Sequence, residues 1–281
     1  MKWAETSRPP PQKNIVDAPR DALGHSTNLV GIPTGLLASP RFNDAPVALH
    51  IAGAREMSRA LFDMLAEAPT ALEAAHAFTL YMGATFALDP EQREPTGRHY
   101  RSSYRRVLKG WGYDANGPEG AVLKGWVESR FGLFPTFHKA PLTRLMSEDW
   151  MMYVTKKMSS RFHNNAIMMQ LDILFEYCQL TIKHFHLKDM NHVILYGGVN
   201  SIDEHYMVER EDRNLYIVRL NNLTSFSADR EMAGCFGDYI LEARVPAVKI
   251  LFFNTLLPQH PLKGEGEYLV IGGDYRVTVQ L

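Results

Sequence analysis

The chain changes character once, and that change limits what it can fold into. From about Ala54 to Lys188 the apolar residues recur at helical spacing, whereas from His192 onward they contract into short strand-like runs. A chain that exhausts its helical pattern before its strands begin is expected to be α+β: a helical N-terminal region followed by a core of short antiparallel or mixed strands. The boundaries this predicts are a loosely ordered segment 1–25, a mainly helical region 26–190, and a β-rich core 191–281 packed with the helices as one unit.

In the helical part, Met57, Leu61 and Met64 are spaced to share one face that ends near Pro69, and Thr70 with Glu73 forms a capping-box signature for the next helix. Ile167, Leu171, Leu174 and Cys178 mark a buried stripe, and the methionines neighbouring it read as core filler. Among the strands, the runs 192–196, 215–220, 238–243, 248–253, 267–271 and 275–279 are rich in Val, Ile, Leu, Tyr and Phe. The turns between them leave room for about one helix, near Ala228 to Phe236, with Ser227 as its expected N-cap.

Composition narrows the partners. With 30 basic and 31 acidic residues the net charge is -1, so no global field draws the chain to nucleic acid or an anionic membrane. No apolar stretch approaches the roughly 18 residues of a membrane-spanning helix, and the N-terminus has no signal-peptide core, so a cytoplasmic protein is expected. The two cysteines, Cys178 and Cys235, lie in apolar stretches and read as inert core thiols. His184, His186 and His192 have no companion set of Cys, Asp or Glu, so no metal is expected.

Three stretches could carry chemistry. In Lys263-Gly-Glu-Gly-Glu-Tyr, strand alternation would point Glu265 and Glu267 the same way, as a solvated rim does, and also as a site does when one acid stabilises a cation and the other takes a proton. In Thr224-Ser-Phe-Ser227, Ser225 has no capping duty. Tyr196-Gly197-Gly198 ends a strand in paired glycines, which would let a flat ligand approach the backbone.

In order and spacing these stretches resemble the three signatures of the arginine-specific ADP-ribosyltransferases: Tyr-Arg-Gly, Ser-x-Ser, and Glu-x-Glu ahead of a strand. The run from Ile194 to Val277, behind a helical half of this length, resembles the dinitrogenase reductase ADP-ribosyltransferases of nitrogen-fixing bacteria. The resemblance implies a β-rich catalytic core around an NAD cleft, with NAD as substrate. It implies transfer of ADP-ribose to an arginine of dinitrogenase reductase, the nitrogenase iron protein, with release of nicotinamide and arrest of nitrogen fixation. It further implies regulation by a PII-type nitrogen-signal protein. Glu267, Glu265 and Ser225 would be catalytic, and Tyr196, Gly197, Gly198, Ser225, Phe226, Ser227 and Glu267 would hold NAD. One position departs: Gly197 stands where the family carries the arginine that holds the NAD phosphates, with Arg219 or Arg213 as possible replacements. Two rival readings follow, a binding module of the same fold that does not turn over NAD, and an NAD glycohydrolase. Arg98, Arg101, Arg105 and Lys109 are spaced to line one helical face, either plainly solvated or able to meet an acidic partner.

Overall fold

The computed structural model describes residues 23–88, 103–188, 190–201, 204–258, 262 and 266–280. Helices come first: α1 (Thr34–Leu37), α2 (Pro40–Asp44), α3 (Ala54–Met57), α4 (Arg59–Glu67), α5 (Ala71–Phe86), α6 (Tyr104–Tyr113) and α7 (Pro118–Phe131). A two-strand hairpin, β1 (Phe137–His138) and β2 (Ala140–Pro141), precedes α8 (Glu148–Ser159) and α9 (Asn165–Thr181). The remainder is strand, β3 (His192–Val199), β4 (Tyr206–Arg210), β5 (Leu215–Ser227), β6 (Tyr239–Pro246), β7 (Ile250–Phe253) and β8 (Glu267–Gln280), interrupted by α10 (Arg230–Gly234). The α+β expectation holds, with helices leading and an antiparallel sheet following.

The local signals for helix ends work where their chemistry is local. Thr70 is the N-cap of α5 and its side chain accepts from the Glu73 amide. Ile167, Leu171, Leu174 and Cys178 are all fully buried along α9, which packs against β7 on one side and against α3, α5 and α6. The face assigned to Met57, Leu61 and Met64 is different: the buried stripe runs through Ala54, Ser58, Leu61 and Leu65 across the junction of α3 and α4, while Met57 and Met64 are exposed. Of the methionines beside the α9 stripe, Met168 packs half-buried against the core as filler while Met169 is exposed.

Buried charges in this region are paired. Glu176 accepts from the Ile51 amide and from Arg55, and Asp172 takes a two-pronged contact from Arg130 together with the Trp126 indole. Such carboxylates, cut off from water, persist because their lone pairs are filled. A single apolar cluster runs from Leu37 to Val279 and joins helices to strands.

The strands differ from their sequence outlines in three ways. β8 is one continuous strand: the runs at 267–271 and 275–279 are joined through Gly272 and Gly273, which bend the strand rather than turn it. β5 continues past Leu220, through a bulge, to Ser227. β4 has no counterpart in the sequence reading, because an edge strand reading Tyr-Met-Val-Glu-Arg lacks a clean apolar alternation.

Every pairing in this sheet is antiparallel. β5 and β8 pair over nearly their whole lengths, from Leu215↔Thr278 to Ser227↔Glu267. β6 pairs with the end of β8 and with all of β3, while β3 reaches β5 at Tyr196↔Ser227. The path β5–β8–β6–β3 thus closes back on β5, with β4 and β7 at its margins. Among the described residues no helix is long and apolar enough to cross a membrane.

Candidate active site

The closure brings together residues that are far apart in the chain. Because Tyr196 pairs with Ser227, and Ser227 with Glu267, the three lie in one row across β3, β5 and β8. Side chains opposite one another in a ladder share a face, and so do those two residues along. Ser225 therefore shares the face of Ser227 and Glu267, and its Oγ donates to Glu267 Oε1 at 2.8 Å across the diagonal. Ser225 is exposed and Glu267 half-exposed, so a ligand can reach this pair from solvent.

Glu267 is the first residue of β8, and Gly266 before it has φ +65°. That left-handed turn is one that glycine adopts at little cost. Strand alternation starts at Glu267, and Glu265 lies outside the described residues. Ser227 is not the cap expected of it. It ends β5, and its Oγ accepts from the Asp229 amide at 3.0 Å. Asp229 caps α10 instead, accepting from the Glu231 and Met232 amides. The hydroxyl sits too early in the chain, because β5 runs to its very end.

The two glycines have separate reasons. A Cβ on Gly198 would lie 2.1 Å from the Ala233 carbonyl, so the glycine lets β3 and α10 touch, which assigns it a packing role whether or not a ligand also uses its backbone. Gly197 is on the opposite face from Ser225, with Phe226, whose ring carbon would sit 3.3 Å from an added Cβ. Phe226 is buried. The arginines considered as stand-ins differ in availability: Arg219 is engaged by Asp274 at 2.7 and 3.1 Å, whereas Arg213 is exposed.

On the face opposite Glu267, Tyr268 hydrogen-bonds His186 at 2.7 Å, and both rings stack on Phe253. Burial depresses the His186 pKa and raises that of Tyr268, so this histidine packs in its neutral form beside the Tyr268 hydroxyl. Cys178 is fully buried and its thiol is pushed up by desolvation, as an inert core thiol should be, but Cys235 is exposed, where the short α10 ends. Of the proposed basic face, Arg98 and Arg101 lie outside the described residues, and Arg105 is drawn back onto Tyr104 and Thr79.

Sequence reasoning missed one contributor. Trp111 of α6 donates from Nε1 to Ser225 Oγ at 2.9 Å, across 114 positions. Trp111 is buried, and Lys124 Nζ lies 5.8 Å from its ring centre. An apolar-looking tryptophan on an amphipathic helix carries no local sign of this contact. Two cavities, of about 590 and 710 Å³, lie elsewhere, one among α7, α8 and the start of α9 and one beside His192 and Arg244. Neither is lined by Ser225 or Glu267.

A sheet closed on itself, with helices ahead of it and a serine–glutamate pair where the serine-bearing strand meets the last strand, agrees with the ADP-ribosyltransferase class whose signatures the three stretches resemble. Within that class the chain belongs to the family described as dinitrogenase reductase ADP-ribosyltransferase, whose model matches residues 27–279. It is 59% identical, over 264 residues, to the NAD(+)--dinitrogen-reductase ADP-D-ribosyltransferase of Rhodospirillum rubrum, covering 92% of this chain and 96% of that protein. No solved structure matches it.

Proposed function

We propose that this chain transfers ADP-ribose from NAD to dinitrogenase reductase, releasing nicotinamide, with Glu267 as the carboxylate that stabilises the ribosyl cation. The observation that carries this reading is the Ser225–Glu267 hydrogen bond on a ligand-accessible face of a chain in this family. The relative's name supplies the two substrates.

Departure of nicotinamide leaves positive charge on the ribose, so the barrier falls when negative charge is already in place. A carboxylate about 4 Å from that charge contributes on the order of 4 kcal/mol at an effective dielectric of 20. Ser225 orients Glu267 by donating to it. In this proposal Tyr196, Gly198 and Ser227, on the face of Ser225 and Glu267, frame the NAD site, with Gly198 offering backbone hydrogen bonds to the nicotinamide amide, while Gly197 and the buried Phe226 back it from the opposite face. Glu265 receives the guanidinium of the target arginine, because a carboxylate accepts both prongs of that side chain. The wider proposal, resting on family resemblance, is a cytoplasmic enzyme that silences the iron protein of nitrogenase under control of a PII-type partner.

The test is to incubate the purified chain with labelled NAD and dinitrogenase reductase. Wild type labels an arginine of the target and releases nicotinamide in step, whereas Glu267→Gln loses both by about 10³-fold, the rate equivalent of about 4 kcal/mol. Labelling by Glu267→Gln at the wild-type rate refutes the assignment. The rival readings separate in the same tubes: a binding module releases no nicotinamide, and a glycohydrolase yields free ADP-ribose even with target present.

A further inference from the structure

We infer that Trp111 is a positioning residue for the transfer reaction, fixing the direction in which the Ser225 hydroxyl donates. This inference rests on the reading of Glu267 given above and extends it to the helical half of the chain.

The number of donors at Ser225 sets the polarity of its hydrogen bonds. An indole Nε1–H can only donate, and a serine hydroxyl has one proton and two lone pairs. With Trp111 Nε1 at 2.9 Å donating into Ser225 Oγ, one lone pair is occupied by a donor. The hydroxyl proton then has Glu267 Oε1, at 2.8 Å, as its acceptor. The three groups form a relay with one polarity, Trp111 to Ser225 to Glu267. Without the indole, the hydroxyl of an exposed serine is a free rotor that water can turn away from the carboxylate.

The ring that makes this contact is held on several sides. Trp111 is 4% exposed. Its helix is anchored by the Tyr104 amide donating to Gln170 Oε1 on α9 at 2.8 Å, and by Tyr104 packing edge-on against Phe78. The ammonium of Lys124, 5.8 Å from the ring centre, sits in turn on Asn116 Oδ1 and the Phe137 carbonyl at 3.1 and 2.9 Å. A buried indole N–H needs an acceptor, and a backbone carbonyl would serve equally for stability. The acceptor here is the hydroxyl that already donates to the proposed catalytic carboxylate. The helical region thereby takes part in the chemistry of a site whose other described groups come from strands.

The experiment uses the full chain and four proteins: wild type, Trp111→Phe, Ser225→Ala and the double variant. Trp111→Phe keeps a ring and removes the donor. It is expected to lower kcat for nicotinamide release about tenfold, the equivalent of one hydrogen bond of about 1.4 kcal/mol, with KM for NAD changed less than about twofold. In the Ser225→Ala background the same change is expected to cost less than about twofold, since the relay is already cut. The chain has four tryptophans, and with ¹⁵N-labelled indoles the Trp111 signal, identified by its loss in Trp111→Phe, should move in Ser225→Ala. If Trp111→Phe does not fold, a benzothienylalanine at position 111, with sulfur in place of N–H, gives the same comparison with the ring shape retained. The inference is overturned by an unchanged kcat, by losses that add fully in the double variant, or by an indole signal indifferent to Ser225→Ala. Failure of the parent reading looks different: Glu267→Gln would then release nicotinamide normally while the indole signal still responded to Ser225→Ala.

Discussion

Raising the pH from 7 to about 8.5 should stabilise this protein, and Lys249→Met should remove about half of the effect. Lys249 is wholly buried, with Nζ 4.9 Å from the Tyr275 ring centre, 5.4 Å from that of Phe42, and 3.4 Å from the Gly272 carbonyl. Burial drives its pKa down to about 7, against a smaller opposing pull from Asp274. Lys124, also buried, is lowered to about 7 by the same cause. The unfolded chain keeps both lysines protonated to near pH 10.5, so above pH 7 the unfolded state binds more protons than the folded one, and stability rises with pH. Between pH 7 and about 8.5 the integrated gain is about 1.6 kcal/mol per lysine, or about 3 kcal/mol in all. The buried thiol of Cys178, with its raised pKa, works in the opposite direction, but over this window it takes back only about 0.2 kcal/mol. Urea unfolding of wild type and Lys249→Met at the two pH values measures the difference. A wild type whose stability is flat across the window, or a variant with the full wild-type rise, refutes the reasoning.

Three further outcomes are expected. Glu265→Gln should lose labelling of the target arginine while retaining slow NAD hydrolysis, measured as free ADP-ribose; retention of labelling would remove Glu265 from the acceptor role. Gly197→Arg should not raise NAD affinity in calorimetry, because position 197 shares the face of Phe226 and not that of Ser225, and crowding the ring should cost about 1–3 kcal/mol of stability; tighter NAD binding would refute the face assignment. Gly198→Ala should lower the melting temperature and weaken the seating of α10, since its Cβ would need to displace the Ala233 carbonyl, 2.1 Å away; a melting curve identical to wild type would contradict that packing.

The outline of this protein could be read locally, and its errors have local causes. Thr70 and Glu73 mark a helix start because a cap is a contact within one turn. Met57 and Met64 fall outside the buried face because that face runs through Ala54, Ser58, Leu61 and Leu65, and a buried serine carries no apolar signal. The paired glycines at 272 and 273 read as a turn, yet β8 passes through them bent across β5, and an edge strand such as β4 has too little buried surface to show a period. At the site, the order of the three signature stretches could be read, and so could the serine and glutamate that pair. Ladder register sets Ser227 directly opposite Glu267 and brings Ser225 within reach of it across the diagonal, a placement that pattern alone does not specify.

Sequence alone determined the class of fold, the place where helix yields to strand, and the residue types available for transfer chemistry, because periodicity and motif spacing are properties of neighbouring residues. Tertiary structure alone decided that Tyr196, Ser227 and Glu267 lie in one row, that Gly197 faces away from Ser225, and that Trp111 completes the relay. Those facts depend on sheet closure and on helices docking over it, contacts between segments tens to more than a hundred positions apart. Such contacts are selected by burial of the whole core, and no local stretch encodes them.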